Sequence, residues 1–184
     1  YKCRSMLMLR IDLYFFAQVE GAVMDWSGVL LTEVKNMDIA LAGTGYAIFS
    51  VAMLIMRLLG DKTVQFLGEQ KAVIGGSIVT AAGFALVVIL DNLYLNAFGF
   101  ILIGLGCANI VPVSYSLLKY QKDMPISAAV TSVTSLGYTG LILGPALLGF
   151  VAHGINISAV FELVALLLVI EAGIAKYVFC KLNM

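Results

Sequence analysis

Charged residues are scarce in this chain of 184 residues. They make up 12% of it, against 61% hydrophobic residues, whereas a soluble domain is nearer a quarter charged and half apolar. Eleven basic residues balance eleven acidic ones, and no basic tract is present. Without such a tract we expect no nucleic-acid partner. With so little charge to cover a surface, the chain is predicted to be an integral membrane protein.

Cysteine and histidine are also rare, and their placement excludes several kinds of site. Cys3, Cys107 and Cys180 lie far apart, without metal-ligand spacing or a disulfide framework. The single histidine, His153, has no nucleophile or acid arranged around it in the sequence. No phosphate-binding loop occurs either. We therefore expect no enzyme, no metal and no bound cofactor.

Long apolar runs fill most of the chain. A membrane-spanning helix needs about 20 such residues, and six stretches qualify. The predicted helices cover residues 6–32, 39–59, 72–90, 93–118, 127–152 and 157–178. No sheet is expected, because an open sheet leaves backbone groups unsatisfied in hydrocarbon. The fold class is therefore an all-α polytopic membrane protein, with the lipid bilayer as its first partner.

Prolines mark two features of these helices. Pro112 lacks an N–H group, so we expect a kink that frees a carbonyl near Ala108. Pro125 followed by Ser127 predicts the start of the fifth helix, with Ser127 as its N-cap.

Basic residues are distributed unevenly between the two sides of six predicted spans. One side holds only Lys35. The other holds ten bases: Lys2, Arg4, Arg10, Arg57, Lys62, Lys71, Lys119, Lys122, Lys176 and Lys181. Cytoplasmic segments carry the excess of lysine and arginine. Both termini are therefore predicted to be cytoplasmic.

A short sequence echo relates the two halves of the chain. Gly45-Tyr46 early in the second helix recurs as Gly137-Tyr138 early in the fifth. The helices then form two triplets, and because three is odd, the second triplet runs inverted. The sequence thus predicts two inverted three-helix repeats.

A cluster of charges and glycines follows the second helix and is predicted to be a loop. Its members are Arg57, Gly60, Asp61, Lys62 and Gly68. Asp61 is expected to close the helix and to need a charged or helix-N-terminal partner, because an anion there meets the negative end of the dipole. This loop resembles the signature loop of the major facilitator superfamily, although Met56 stands where that pattern has glycine. Glu69 and Gln70 also precede the basic Lys71. By this resemblance the loop gates the cytoplasmic side.

The resemblance extends over the whole chain. Residues 20–27 look like the seventh span of bacterial carriers akin to fucose-permease-like sugar porters, and residues 137–149 like the eleventh. This implies the C-terminal half of an inner-membrane secondary transporter, a symporter or antiporter that moves a sugar or drug-like solute by alternating access. Protons are the implied coupling ion. Tyr1 is not an initiator, and we expect an N-terminal six-helix half that this chain lacks.

Several candidate site residues lie in the first helix. Each charge within a span costs about 2.5–3.5 kcal/mol on insertion scales, so each charged residue there needs a functional or structural reason. Glu20, beside Gly21, is either a proton-titrating or substrate-binding carboxylate, or a structural acid. Asp25 lies about 140° further round the helix, so the two acids are not expected on one face. Gln18 and Asp25, which are seven residues apart, are expected to share one face of the helix. Trp26 either stacks on a sugar or lies in the interfacial belt.

Later helices supply further candidates. Asn109 and Tyr138 each suit either a substrate contact or an interhelical hydrogen bond. Helix packing is assigned to Pro112, Gly140, Gly144 and Pro145. In the last helix, Glu171 is expected to reach water and Glu162 to contact a neighbouring helix.

A different class of function fits the same composition. The chain could instead be a non-transporting six-helix scaffold or a dimerising membrane protein. The gene upstream of Tyr1 distinguishes the two, since six further spans in frame favour the transporter.

Overall fold

The computed structural model of the chain describes residues 3–120 and 124–182, and the side chains of 13–119, 124–177 and 179. Helices account for nearly all of these residues, and no strand occurs among them. The helices are α1 (Cys3–Val29), α2 (Thr44–Leu67), α3 (Glu69–Ile89), α4 (Leu93–Cys107), α5 (Ile110–Leu117), α6 (Ile126–Gly154) and α7 (Ile157–Leu182). A π-helical turn, Leu30–Val34, extends α1, and the 3-10 turn Ile39–Leu41 precedes α2.

Five segments of the described chain are long and apolar enough to cross a membrane. They are Ile39–Leu67, Glu69–Ile89, Leu93–Leu117, Ile126–Gly154 and Ile157–Tyr177. The 27-residue α1 is long enough but is not among them. Glu20 and Asp25 both lie on α1, and they make it less apolar than the other helices.

Helix α2 does not end where the charged residues begin. The prediction that Asp61 closes this helix is wrong, because α2 continues through Asp61 and Lys62 to Leu67. The chain turns only at Gly68, whose φ of 82° is a conformation that favours glycine. Helix α3 then begins at Glu69 instead of residue 72. Arg57, Gly60, Asp61 and Lys62 are thus helical residues, and the predicted gating loop shrinks to a sharp turn.

The fourth predicted helix is interrupted, as its proline indicates. Helix α4 ends at Cys107 and α5 begins at Ile110. Pro112 has no N–H group to bond the carbonyl of Ala108, four residues earlier. The predicted kink near Ala108 is confirmed.

The start of α6 differs from the prediction. Helix α6 begins at Ile126 after Pro125, and no side chain caps it. Ser127 is therefore inside the first turn, and its assignment as N-cap is wrong. Asn156 caps the following helix, since its Oδ1 accepts a hydrogen bond of 2.7 Å from the N–H of Ala159.

Each helix packs against a small number of others. Helix α1 lies against α6 and α7, α2 lies against α4, and α3 lies against α4 and α7. The rings of Phe84, Phe100 and Phe161 are almost fully buried in the core between them. Many large apolar side chains remain exposed, including Phe66, Phe98 and Phe150. A bilayer would cover such side chains.

Lys35 joins two helix ends at one edge of the molecule. Its Nζ donates to the carbonyl oxygen of Val88 at 2.7 Å and pairs with Asp91 Oδ1 at 2.6 Å. The Lys35 side chain is only 2% exposed, whereas that of Asp91 is 83% exposed. The lysine therefore connects the π-helical turn after α1 to the C-terminal end of α3, where a cation is favourable.

Candidate functional site

A groove of about 700 Å³ lies between α1, α2 and α6. Its polar side chains are Glu20, Asp25, Tyr46, Ser50 and Arg57. The rest of the lining is Gly21 and the apolar residues Met24, Phe49, Met53, Leu54, Leu141 and Pro145. Pockets that bind small molecules have this character, mostly apolar with a few convergent polar groups.

Glu20 and Arg57 form an ion pair across this groove. The closest approach, between Glu20 Oε1 and Arg57 Nη2, is 3.8 Å. Their side chains are 38% and 45% exposed, so both charges remain accessible from the groove. Arg57 lies within the predicted second helix but was assigned to the gating cluster, and the structure places it in this groove. No spacing within α2 indicates this pairing, because Glu20 lies on another helix.

The two acids of α1 line the same groove. Glu20 and Asp25 were not expected together, since about 140° separates them around the helix, but the groove is wide enough to reach both. Gln18 and Asp25, about two turns apart on one face of α1, have different surroundings. Gln18 is buried and its Nε2 donates to the carbonyl oxygen of Gly140 at 3.2 Å, whereas Asp25 is exposed.

A smaller groove, of about 270 Å³, lies between α1, α5 and α6. Glu20 and Leu141 line both grooves. Within the smaller one, Tyr115 Oη and Thr134 Oγ1 are 2.8 Å apart and join α5 to α6. Glu20 is thus the acid that the two grooves share.

The tyrosines of the sequence echo line different grooves. Tyr46 lines the larger groove and Tyr138 the smaller one. Both side chains are exposed. Each tyrosine therefore lines a groove that Glu20 also lines.

Trp26 and Asn109 lie outside both grooves. The Trp26 ring packs over Gly149, whose added Cβ would lie 3.6 Å from Cζ2, and its Nε1 is buried without a hydrogen bond to the described residues. Asn109 is 5% exposed and packs against Gly60 in a separate crevice beside α3. Neither residue contacts the site around Glu20.

The glycines of α6 bring it close to α1. A Cβ on Gly140 would lie 3.0–3.2 Å from Tyr14 and Ala17, and one on Gly144 would lie 3.0 Å from Gln18. Pro145 lies inside α6 and lines the larger groove. Because it lacks an N–H group, it leaves the Leu141 carbonyl without its helical donor.

The remaining acids are arranged differently from the expectation. Glu171 is 1% exposed and so does not reach water, whereas Glu162 is exposed on the surface of α7. Sequence spacing shows which faces they occupy, but not which face is buried. Asp61 and Lys62 are exposed, and neither forms an ion pair with a described residue. In the described chain, no group of acids, histidines or cysteines could hold a metal ion.

Sequence relatives indicate the kind of protein to which this chain is similar. No family model matches it. It is 41% identical over 159 residues to an uncharacterised MFS-type transporter of Yersinia pestis, covering 86% of the chain and 41% of that protein. It is 31% identical over 156 residues to an uncharacterised transporter of Sinorhizobium fredii, covering 85% and 41%. Membrane protein MosC of Rhizobium meliloti is 26% identical over 170 residues, covering 92% and 40%.

Solved structures share the fold. PepTSo, a transporter of the POT family, superposes with a TM-score of 0.78 at 16% identity, covering 98% of this chain and 38% of that one. Another peptide transporter, solved with sulfate, gives 0.76 at 18% identity, with the same coverage. The chain thus spans about two fifths of the proteins it matches.

Proposed function

Because the chain belongs to the major facilitator superfamily of transporters, we propose that it forms the C-terminal six-helix half of a proton-coupled secondary transporter. This half supplies one wall of a central cavity, and six further helices supply the other. The complete transporter moves a small solute across the inner membrane by alternating access. Its coverage of about two fifths of each relative supports this assignment.

The pairing of helices supports two inverted repeats. With α4 and α5 counted as one interrupted helix, the triplets are α1, α2, α3 and α4–α5, α6, α7. Helix α1 packs on α6 and α7, and α4 packs on α2 and α3. Each first helix of a triplet therefore contacts the second and third helices of the other triplet. A two-fold relation between the triplets predicts this reciprocity.

Basic residues support cytoplasmic termini. Arg57 lines the groove and so no longer counts among the flanking charges, which leaves nine bases against Lys35. The excess still marks the side of Gly68 and of both termini as cytoplasmic. Lys2 and Lys122 lie outside the described residues, as do the side chains of Arg4, Arg10 and Lys181.

The ion pair in the larger groove is the observation that carries the functional proposal. Charges within a membrane are costly and mark substrate or proton pathways, and Glu20 and Arg57 lie in a groove large enough for a solute. A proton that neutralises Glu20 releases Arg57, and a bound solute contacts the released side chain. Binding of the solute and of the proton are thereby linked.

The lining of the groove favours an amphipathic, drug-like solute over a sugar. Met24, Phe49 and Met53 offer apolar and polarisable contacts. Trp26, the residue proposed for stacking on a sugar, packs over Gly149 instead. A fucose-permease-like substrate therefore has less support than the superfamily assignment.

Uptake by the full transporter tests the proposal. Cells or vesicles that contain the complete protein are given a panel of amphipathic drugs and sugars, with and without an imposed proton gradient. We expect gradient-dependent movement of an amphipathic compound. If no compound moves in either direction, the chain is better explained as part of a membrane scaffold.

A further inference from the structure

We propose that the crevice between α2 and α3 binds an anionic glycerophospholipid. The crevice has a volume of about 310 Å³ and is backed by α4. It forms because α2 and α3 both pack on α4 more than on each other. Helix α3 contacts neither α1 nor α6 to a comparable extent, so the crevice is on the flank of the bundle, away from the proposed transport groove.

A buried amide points into this crevice. Asn109 lines it and is 5% exposed. Its side chain forms no hydrogen bond with the described residues, although buried polar groups are nearly always bonded. Gly75, Gly76 and Gly106 line the crevice and have no side chains that could bond to this amide. An amide both donates and accepts, which suits the ester carbonyls of a glycerophospholipid.

The mouth of the crevice offers a site for phosphate. Helix α3 has 21 residues and starts there after Gly68, without a side-chain cap. Its first N–H groups have no carbonyl partner within the helix, and such a helix N-terminus attracts anions. Lys71, which lines the mouth, is exposed and forms no ion pair with a described residue. The acid of this turn, Glu69, is already engaged, because its Oε1 accepts hydrogen bonds from Lys119 Nζ at 3.2 Å and from Ser116 Oγ at 3.1 Å.

The spacing between the two polar elements matches a lipid. Gly76 contacts Gly106 and Ile110, so it is level with Asn109. Lys71 is five residues earlier on α3, or about 7.5 Å along the helix axis. The headgroup region of one leaflet is roughly 5–7.5 Å thick. A phosphate at Lys71 therefore places the ester groups beside Asn109, with an acyl chain along the glycine-lined crevice.

The test is lipid binding to the purified full transporter, measured by native mass spectrometry. The delipidated protein is titrated with phosphatidylglycerol and, separately, with phosphatidylcholine. Gly75→Leu fills the crevice, and Gly173→Leu on α7 is its control, because an added Cβ meets no atom within 4 Å at either position. We expect wild type and Gly173→Leu to bind phosphatidylglycerol preferentially, and Gly75→Leu to lose that preference.

Two further variants separate the anion contact from the amide contact. Lys71→Gln should weaken phosphatidylglycerol binding about fivefold, the effect expected of one basic side chain at a membrane surface. Lys62→Gln, also exposed but outside the crevice, should not. Asn109→Ala should weaken both lipids. Equal binding of both lipids by wild type, unchanged binding by Gly75→Leu, or no lipid binding at all would each overturn the proposal.

Discussion

Gly76 of α3 and Gly106 of α4 lie backbone against backbone. A Cβ added to Gly76 would be 2.5 Å from the carbonyl oxygen of Gly106, and one added to Gly106 would be 2.6 Å from that of Gly76. Real Cβ atoms are not found so close to a backbone oxygen. The two helices can therefore keep this separation only with glycine at both positions, as at other close crossings of membrane helices.

Substitution at this crossing should be costly. We expect Gly76→Ala to destabilise the full transporter by about 1–3 kcal/mol, because the helices must separate. Gly75→Ala is the matched control on the same helix, since its Cβ would meet no atom within 4 Å. Thermal unfolding of the two variants in detergent measures the difference. Equal midpoints would contradict the close packing of α3 and α4.

Lys35 should matter more than its partner Asp91. Lys35→Met leaves the Val88 carbonyl without this donor and removes the ion pair, which should cost about 1–3 kcal/mol. Asp91→Asn affects an exposed carboxylate, and exposed ion pairs contribute about 0–1 kcal/mol. Unfolding midpoints again provide the measurement. A larger loss for Asp91→Asn would show that the exposed contact, not the buried one, holds the helix ends together.

Glu20 is proposed as the proton-coupling residue. We expect Glu20→Gln to lose proton-driven accumulation while retaining exchange of solute down its gradient, because a neutral amide binds without titrating. Asp25→Asn should have a milder effect, since that acid has no ion pair with a described residue. Glu162→Gln, exposed on α7 outside both grooves, is the control.

Transport assays with and without a pH gradient compare these variants. If Glu20→Gln still concentrates solute with an unchanged pH profile, the carboxylate is structural and coupling takes place elsewhere.

The proposed orientation can be tested by cysteine labelling. Cysteines introduced at Ala40 and Gln65, both exposed, should react from opposite sides of the membrane in a background without the three native cysteines. A membrane-impermeant thiol reagent added outside should label position 40 and spare position 65, because the bases on the side of Gly68 predict a cytoplasmic location. The opposite labelling pattern would reverse the topology.

Asp61 remains the candidate for a gate. It is exposed at the proposed cytoplasmic end of α2 and forms no ion pair within the described chain. Its partner is therefore expected in the other half. Asp61→Asn should slow transport without lowering expression or the unfolding midpoint, with Lys62→Gln for comparison. Transport at the wild-type rate would remove Asp61 from the gating mechanism.

The long helices and the break at Pro112 could be predicted from sequence, because apolar length and a missing N–H group are local properties. The end of α2 was misjudged for a physical reason. Charged side chains mark where lipid gives way to water, but they do not end a helix, and the backbone turns only at Gly68. That error placed Gly60, Asp61 and Lys62 in a loop, and the assignment of Arg57 to the same charged cluster left its pairing with Glu20 unpredicted.

The rest of the site depends on contacts between distant parts of the chain. Gln18 bonds to Gly140 across 122 positions of sequence, and no spacing along one helix predicts that bond. The burial of Glu171 and the exposure of Glu162 could not be predicted either. A helix that is apolar on all sides gives little indication of which face packs against its neighbours.

The position of Glu20 at the wall of both grooves has a consequence for occupancy. A cation bound in either groove screens the carboxylate of Glu20, which is also the negative charge of the other groove. Cations bound in the two grooves therefore weaken each other's binding, because both are attracted to the same carboxylate. The two grooves are therefore linked by negative cooperativity toward cations.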